Sequence, residues 1–344
     1  MTRRNFTKEM FGGTIAALAP VFFYKNNNKI SPSKTVIKPP RLREGDTVGL
    51  VAPAGLITEA RLERAVANLQ SLGFKPKIGQ HVLDKNGYLA GTEQNRVADL
   101  HAMYADSDVK GIWCLRGGYG VTRLLHLLDY KLIRKNPKPL VGYSDITALH
   151  QAIFVKTGIV GFHGQIASAE WSDYTLQHLR AVLMNPTDEY TIPMMPEAES
   201  GFETATISDG VAQGRLMGGN LCLVAALTGT DYEWWLRNSL VFLEDIEEKP
   251  YRIDRMLTQL LSAGELQKTN GIALGVFYKC EPDAGDASLS LLDVFRDRLG
   301  ALGVPVVSGL SFGHVKNQCL LPVGIQARLD VGKRTLTLLE PAVV

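Results

Sequence analysis

Cysteine is sparse in this chain. Only four occur in 344 residues, Cys114, Cys222, Cys280 and Cys319, and no two share a CxxC spacing. Each stands in or beside an apolar run, so they read as small buried hydrophobes, not as a disulfide framework or a thiolate metal site. HExxH and clustered His/Cys sets are absent too, which leaves no sequence ground for a metal. An excess of one charge is also missing. The 37 Lys and Arg are scattered against 35 Asp and Glu, for a formal net charge of +2. Nothing therefore predicts a nucleic-acid groove or a strongly acidic partner. The first apolar strand ends in "APAG" (52–55) where a dinucleotide site would place GxGxxG. Internal repeats and low-complexity blocks are lacking. What remains is ordinary core-forming material, 45% hydrophobic and 21% charged, in a chain long enough for two domains.

The first forty residues differ from the rest. "TRRNFTKEMFGGTIAALAPVFF" opens with Arg3 and Arg4, continues into a short apolar stretch from Gly12 to Phe23, and carries the small residues Ala17-Leu18-Ala19. This is the form of a twin-arginine export signal, with Asn26–Pro40 as a polar, proline-bearing linker. The stretch is too short for a stable membrane span. A periplasmic location follows as an expectation; the other reading is a cytoplasmic protein with an amphipathic N-terminus.

From residue 41 strands and helices alternate. "DTVGLVAPAG" reads as a strand ending in a turn. Leu62, Val66, Leu69 and Leu72 recur at helical spacing before Gly73, and 92–104 repeats the pattern with Val97, Leu100 and Met103. "VKGIWCLRGGYG" (109–120) is a strand breaking into glycines, followed by a helix over Val121–Leu128. Such alternation predicts an α/β fold, a parallel sheet with helices on both faces, whose ligands lie at the carboxyl ends of the strands. Residues 41–185 form the expected first domain. The Pro-, Glu-, Ser- and Thr-rich segment 186–210 reads as a linker. Residues 211–344 form a second domain, in which "RLMGGNLCLVAAL" is glycine-led and then helical, Tyr251–Leu261 is a helix, and the end is a hairpin about Gly332-Lys333.

One stretch carries the first chemical hint. In "LVGYSDITALH" (140–150) Ser144 stands where a buried strand becomes a helix, the position of a nucleophile on a strand-to-helix elbow. A neutral serine needs a base, an orienter for the base and donors for the oxyanion. His314 in "FGHVKN" and Glu244 in "LVFLED" both end apolar strands. The Asp145 amide opens a helix, and the glycines of "RGGYG" present unhindered N–H groups. Plainer readings stand beside each: Ser144 as an N-cap, His314 as a loop histidine, Glu244 as a capping acid, Asp145 as a helix-dipole acid, and "RGGYG" as a plain loop or a phosphate cradle.

Six motifs in order carry a resemblance. "RGGYG" with Arg123, "GYSD" (142–145), "GFHGQ" (161–165), "LMGGN" (216–220), "LEDIEEKPYRIDR" (243–255) and "GHVKN" (313–317) together resemble the LD-carboxypeptidases, a family of serine peptidases that includes the microcin C immunity proteins. The resemblance runs from about residue 42 to 340. It implies an N-terminal domain like that of class I glutamine amidotransferases, a C-terminal domain of family-specific fold, and an active site between them. By motif, Ser144 would be the nucleophile, His314 the base and Glu244 its orienter, chosen over Asp245, Glu247 and Glu248 as the acid of "LED". The amides of Gly118 and Asp145 would form the oxyanion hole. By position, Arg116 with Gly117 is the candidate for binding the substrate and its terminal carboxylate, the other reading of Arg116 being a structural ion pair. The implied reaction releases terminal D-alanine from a peptidoglycan tetrapeptide, with no cofactor or metal, and the implied partners are the muropeptide and a second copy in a homodimer. One departure is visible: relatives commonly read "HGP" where this chain has His163-Gly164-Gln165. Two alternatives are an immunity-type hydrolase of peptidyl- or aminoacyl-nucleotide amides, with Trp171, Trp234 or Trp235 as a stacking platform, and a catalytically silent muropeptide binder. Export is checked by fractionating cells that express the intact gene. A shortened product in the periplasm is expected, and a full-length cytosolic product would refute the leader.

Overall fold

The computed structural model describes residues 35–193 and 202–344. The export signal expected in the first forty residues falls almost wholly outside these. Among the described residues, no helix is long and apolar enough to cross a membrane.

The first sheet is built from β1 (Thr47–Val51), β2 (Lys75–Ile78), β3 (Val109–Cys114), β4 (Leu140–Gly142) and β5 (Gly161–His163). All five run parallel, in the order β5-β4-β3-β1-β2. Parallel strands need crossovers, and helices supply them: α1 (Glu59–Ser71), α2 (Glu93–Ala105), α3 (Tyr130–Lys135) and α4 (Thr147–Thr157). Thr58 and Thr92 start the first two, each accepting from an N–H three residues on. The period of two sorts the strand residues between two cores. Leu50, Trp113 and Val141 enter one, Val51, Ile112 and Leu140 the other. The expected helix over Val121–Leu128 is instead two short 3-10 turns, Val121–Arg123 and Leu125–Leu127.

The second sheet follows α5 (Asp173–Leu179) and contains β6 (Tyr190–Ile192), β7 (Ala205–Ser208), β8 (Val211–Asn220), β9 (Ser239–Ile246), β10 (Gly271–Tyr278) and β11 (Val306–Gly313). A sixth strand of the first sheet, β12 (Leu321–Val323), precedes the closing hairpin of β13 (Gln326–Asp330) and β14 (Thr335–Leu338). The order is β6-β14-β13-β8-β9-β10-β11-β7, with β8 to β11 parallel. β9 and β10 are buried along nearly their whole length, as parallel central strands must be, while β13 alternates in the manner of a one-faced antiparallel strand. The helices between are α6 (Leu221–Ala226), α7 (Pro250–Ser262) and α8 (Leu291–Leu299).

Three features depart from the sequence reading. The segment 186–210 holds two strands, β6 and β7, one on each edge of the second sheet. "LMGGN" belongs to a ten-residue strand. β12 leaves the second sheet's part of the chain and pairs antiparallel with β5, Leu321 opposite His163. The glycines of "LMGGN" are explained by crowding. A Cβ on Gly218, at φ +147°, would lie 1.8 Å from the carbonyl oxygen of Phe242 on β9.

The interior holds several ionisable groups. Burial lowers His150 and His178 to about 4, from an ordinary 6.5. Burial also raises Asp145 to about 6, and raises Asp245, beside Glu244, to about 7, from an ordinary 3.8. Between pH 6.5 and 4 the unfolded chain binds histidine protons that the fold refuses, so these histidines make stability fall as pH falls. The two aspartates act oppositely. From pH 7 down to 3.8 the fold binds protons that the unfolded chain has released, so they make stability rise as pH falls.

Two outcomes are expected. Gly218→Ala should lower stability by roughly 3 kcal/mol or more in urea unfolding, since a backbone clash adds to a strained φ; an unchanged midpoint would remove the crowding argument. Asp245→Asn removes one compensating proton, so its stability should decline more steeply than wild type on acidification from pH 7, by about 1.4 kcal/mol per pH unit. Parallel stability-against-pH curves would contradict this.

Candidate active site

The carboxyl ends of β4 and β9 and the end of β11 converge on one group of side chains. Ser144 follows β4 directly. Its φ is +63°, a left-handed conformation that costs an ordinary residue about 1–2 kcal/mol. Its side chain caps nothing: the 3-10 turn Ser144–Ile146 and α4 both start without a side-chain cap bond. The N-cap reading of Ser144 is thereby removed, and a strained elbow remains.

The glycine loop after β3 lies against this turn. A Cβ on Gly117 would fall 2.9 Å from the Ser144 Cβ and 3.2 Å from its Oγ, so only glycine fits. The loop is held at several points. Gly117 accepts from the Gly55 N–H at 3.1 Å. Gly120 accepts from the buried guanidinium of Arg96 at 3.0 Å, which also donates to the Pro53 carbonyl at 2.7 Å. The Val121 N–H donates at 2.9 Å to the carboxylate of Asp145, the residue after Ser144. Gly118, at φ +113°, is exposed between these anchors. Arg116 donates to the Leu56 carbonyl at 3.0 Å and is half-buried.

On the other side, His314 Nδ1 lies 2.7 Å from Glu244 Oε2, with the histidine side chain 12% exposed and the glutamate fully buried. Gly313 makes this approach feasible, since a Cβ there would sit 3.2 Å from the Glu244 Cβ. The neighbouring acids are engaged elsewhere. Asp245 accepts from Asn220 Nδ2 at 2.9 Å, from the Cys222 N–H at 3.0 Å and from the Ile246 N–H at 2.9 Å. Glu247 pairs with Lys279 and Glu248 with Arg252, both near the surface.

Two contacts join the halves. The Tyr143 ring, next to Ser144, lies 4.7 Å from that of His314, centroid to centroid. Thr147 Oγ1, at the start of α4, accepts from the Asn220 N–H at 3.0 Å, and Asn220 pairs with Glu244 in register. Beside His314 opens a cavity of about 320 Å³, walled in part by Phe202, Val276, Tyr278 and Lys316. Its size suits part of a small-molecule ligand.

The structure thus brings Glu244 and His314 into contact, and sets Gly117 on Ser144 and Tyr143 on His314. Sequence reasoning assigned no role to His163, Tyr143, Arg96 or the Thr147–Asn220 bridge. The signal for His163, Tyr143 and Asn220 is their place in the ordered motifs; Arg96 and Thr147 have none. The three tryptophans considered for stacking are not exposed. Trp171 leans on Trp113 at 5.1 Å, Trp234 is buried and Trp235 is half-buried.

The chain is similar to known proteins over most of its length. The LD-carboxypeptidase N-terminal domain matches residues 48–164, and the LD-carboxypeptidase C-terminal domain matches residues 213–329. The probable murein peptide carboxypeptidase of Bacillus subtilis (strain 168) is 38% identical over 303 residues, covering 87% of this chain and 93% of that protein. The crystal structure of a muramoyltetrapeptide carboxypeptidase from Oxalobacter formigenes superposes with a TM-score of 0.75 at 31% identity, covering 85% of this chain and 97% of that one. The structure of MccF in complex with glutamyl sulfamoyl guanosine reaches 0.82 at 25% identity, over 89% and 99%. With models of both domains matched, and with a relative of this identity aligned over most of its length, the chain belongs to the LD-carboxypeptidase family.

Proposed function

We propose that this protein is a serine carboxypeptidase that hydrolyses the L,D amide bond of murein tetrapeptide and releases terminal D-alanine. The observation that carries this reading is a hydrogen-bonded carboxylate–imidazole pair, Glu244 and His314 at 2.7 Å, whose imidazole packs on the ring of Tyr143, the residue before a serine held at φ +63°. In this mechanism Ser144 Oγ attacks the scissile carbonyl carbon. Its proton passes to His314 Nε2 while Nδ1–H stays on Glu244, which fixes the tautomer and stabilises the imidazolium. Negative charge gathers on the carbonyl oxygen, and the amides of Gly118 and Asp145 receive it. The pinned glycine loop suits that task because its donors need no rearrangement. Collapse of the intermediate breaks the C–N bond, and His314 returns the proton to the departing D-alanine amine. Water, deprotonated by the same histidine, then cleaves the acyl-enzyme. Arg116, with Gly117, receives the substrate's carboxylate. A homodimer belongs to the same reading and is checked by light scattering.

The likeness to MccF, solved with a glutamyl sulfamoyl guanosine, favours a second reading, hydrolysis of an aminoacyl-nucleotide amide. A base would need an aromatic platform. The exposed rings near the glycine loop are Tyr88 and Tyr119, 5.7 Å apart and edge to face. Side-by-side turnover of murein tetrapeptide and an aminoacyl nucleotide separates the two.

Ser144→Ala should reduce D-alanine release by roughly four orders of magnitude or more while the fold persists. Ser144→Gly should be equally inactive yet more stable by about 1 kcal/mol, because glycine adopts this φ freely. Unchanged turnover in either variant would reject Ser144 as nucleophile, and with it the mechanism.

A further inference from the structure

The motif "GFHGQ" has no part in the mechanism above, yet its histidine lies directly behind the orienting carboxylate. His163 ends β5 and pairs in register with Gly142, two residues before Ser144. Its Nε2 is 3.8 Å from Glu244 Oε1, and both side chains are fully buried. Neither ring nitrogen of His163 has a hydrogen-bond partner among the described residues, and Glu244 Oε1 has none either. An unpaired buried polar group costs about 1–3 kcal/mol. Here orphaned groups of complementary chemistry, an imidazole nitrogen that carries a proton in one tautomer and a carboxylate oxygen, face each other across a gap slightly too long for a hydrogen bond. The Phe242 ring at 5.3 Å and the Tyr143 ring at 6.0 Å hold the imidazole edge-on in this place.

We propose that His163 is a positioning residue: its Nε2–H donates to Oε1 of Glu244 in the working enzyme, fixing the carboxylate so that Oε2 meets His314 Nδ1. The proposal rests on the hydrolase reading given above. A carboxylate gripped through one oxygen turns about its terminal torsion, which has broad wells. A second grip on the other oxygen removes that freedom. His163 touches no substrate and transfers no proton.

The role requires a neutral imidazole, since a cation there would oppose the imidazolium that His314 must become. The titratable groups facing His163 are Glu244 from β9, His150 from α4, His314 after β11 and Tyr143 after β4. Burial, reinforced by the two histidines, holds its pKa well below 6.5.

The first test uses the wild-type protein. Nitrogen NMR of ¹⁵N-histidine-labelled enzyme should find His163 neutral between about pH 5 and 8, with its proton on Nε2. A proton on Nδ1, or titration in that range, overturns the proposal. The second test is kinetic, on D-alanine release. His163→Phe keeps the ring and removes the donor. It should lower kcat roughly tenfold with KM unchanged, as the loss of one hydrogen bond to a charged group implies. The acidic limb of kcat/KM should move up by about half a pH unit, because a carboxylate that has lost a donor holds the His314 proton more firmly. His163→Gln, which carries an amide N–H to nearly the same place, should restore most of kcat and return the limb. A folded His163→Phe enzyme with unchanged kcat and pH profile overturns the proposal. The NMR readout needs no turnover, so a failure of the hydrolase reading, seen as an active Ser144→Ala enzyme, stays distinguishable from a failure here.

Discussion

Everything at this site depends on one buried negative charge. Glu244 has no solvent exposure, and a carboxylate in that position costs several kcal/mol unless hydrogen bonds and opposite charge offset it. In the structure one oxygen accepts from His314 at 2.7 Å; the other faces His163 at 3.8 Å. An ion pair between Glu244 and a protonated His314 offsets the burial most fully. In the proposed mechanism, that is the state reached once the histidine has taken the serine proton. Under that mechanism the carboxylate is better accommodated late in the reaction than at its start. This is the direction in which a site must differ from its resting state to accelerate a step.

The rest of the architecture brings this carboxylate against the sheet that carries Ser144. Sheet geometry does the coarse work, since parallel strands leave their carboxyl ends on one edge. The fine placement comes from a few cross-contacts: Thr147 with Asn220 at 3.0 Å, Tyr143 on His314 at 4.7 Å, and β12, which carries the chain just past His314 back onto the first sheet beside His163. The last contact means that the loop bearing His314 is tied at both ends. β11 anchors one end in the second sheet and β12 the other in the first. A histidine on a loop fixed twice is better suited to exact aim than one on a free loop.

How much of this was legible in the sequence differs by element. The alternation from residue 46 onward gave the parallel sheet, because hydrophobic periodicity is a local property that burial enforces. Ser144 stood out because a serine between an apolar strand and a helix face is unusual, although its φ of +63° has no sequence signature. His314 and Glu244 carried little signal alone; their partnership spans 70 residues and became visible only through the ordered motifs. β8 was hidden because strand propensity argues against its glycines. They are there for the close approach to Phe242, a tertiary fact. β6 and β7 were hidden because edge strands carry little apolar content, so the segment read as a connection. His163 was visible as a letter in a motif, but the 3.8 Å approach to Glu244 comes from the stacking of two sheets that no window of sequence contains.

The departure at Gln165 fits the same logic of support from behind. Where the family resemblance leads one to expect proline, this chain has a buried glutamine whose Nε2 donates to the Val315 carbonyl at 3.4 Å, while its backbone carbonyl accepts from Trp113 Nε1 at 2.8 Å. Val315 directly follows His314. Proline has no side-chain donor and could not make the first bond. Gln165 therefore supplies a polar tether between the strand-end that carries His163 and the loop that carries His314. Its reach is long and its strength modest. Still, it links the segments on either side of Glu244, so that His163, Glu244 and His314 are held by a connected set of short elements. A site arranged this way owes its precision less to any single strong bond than to the small number of ways its parts are free to move.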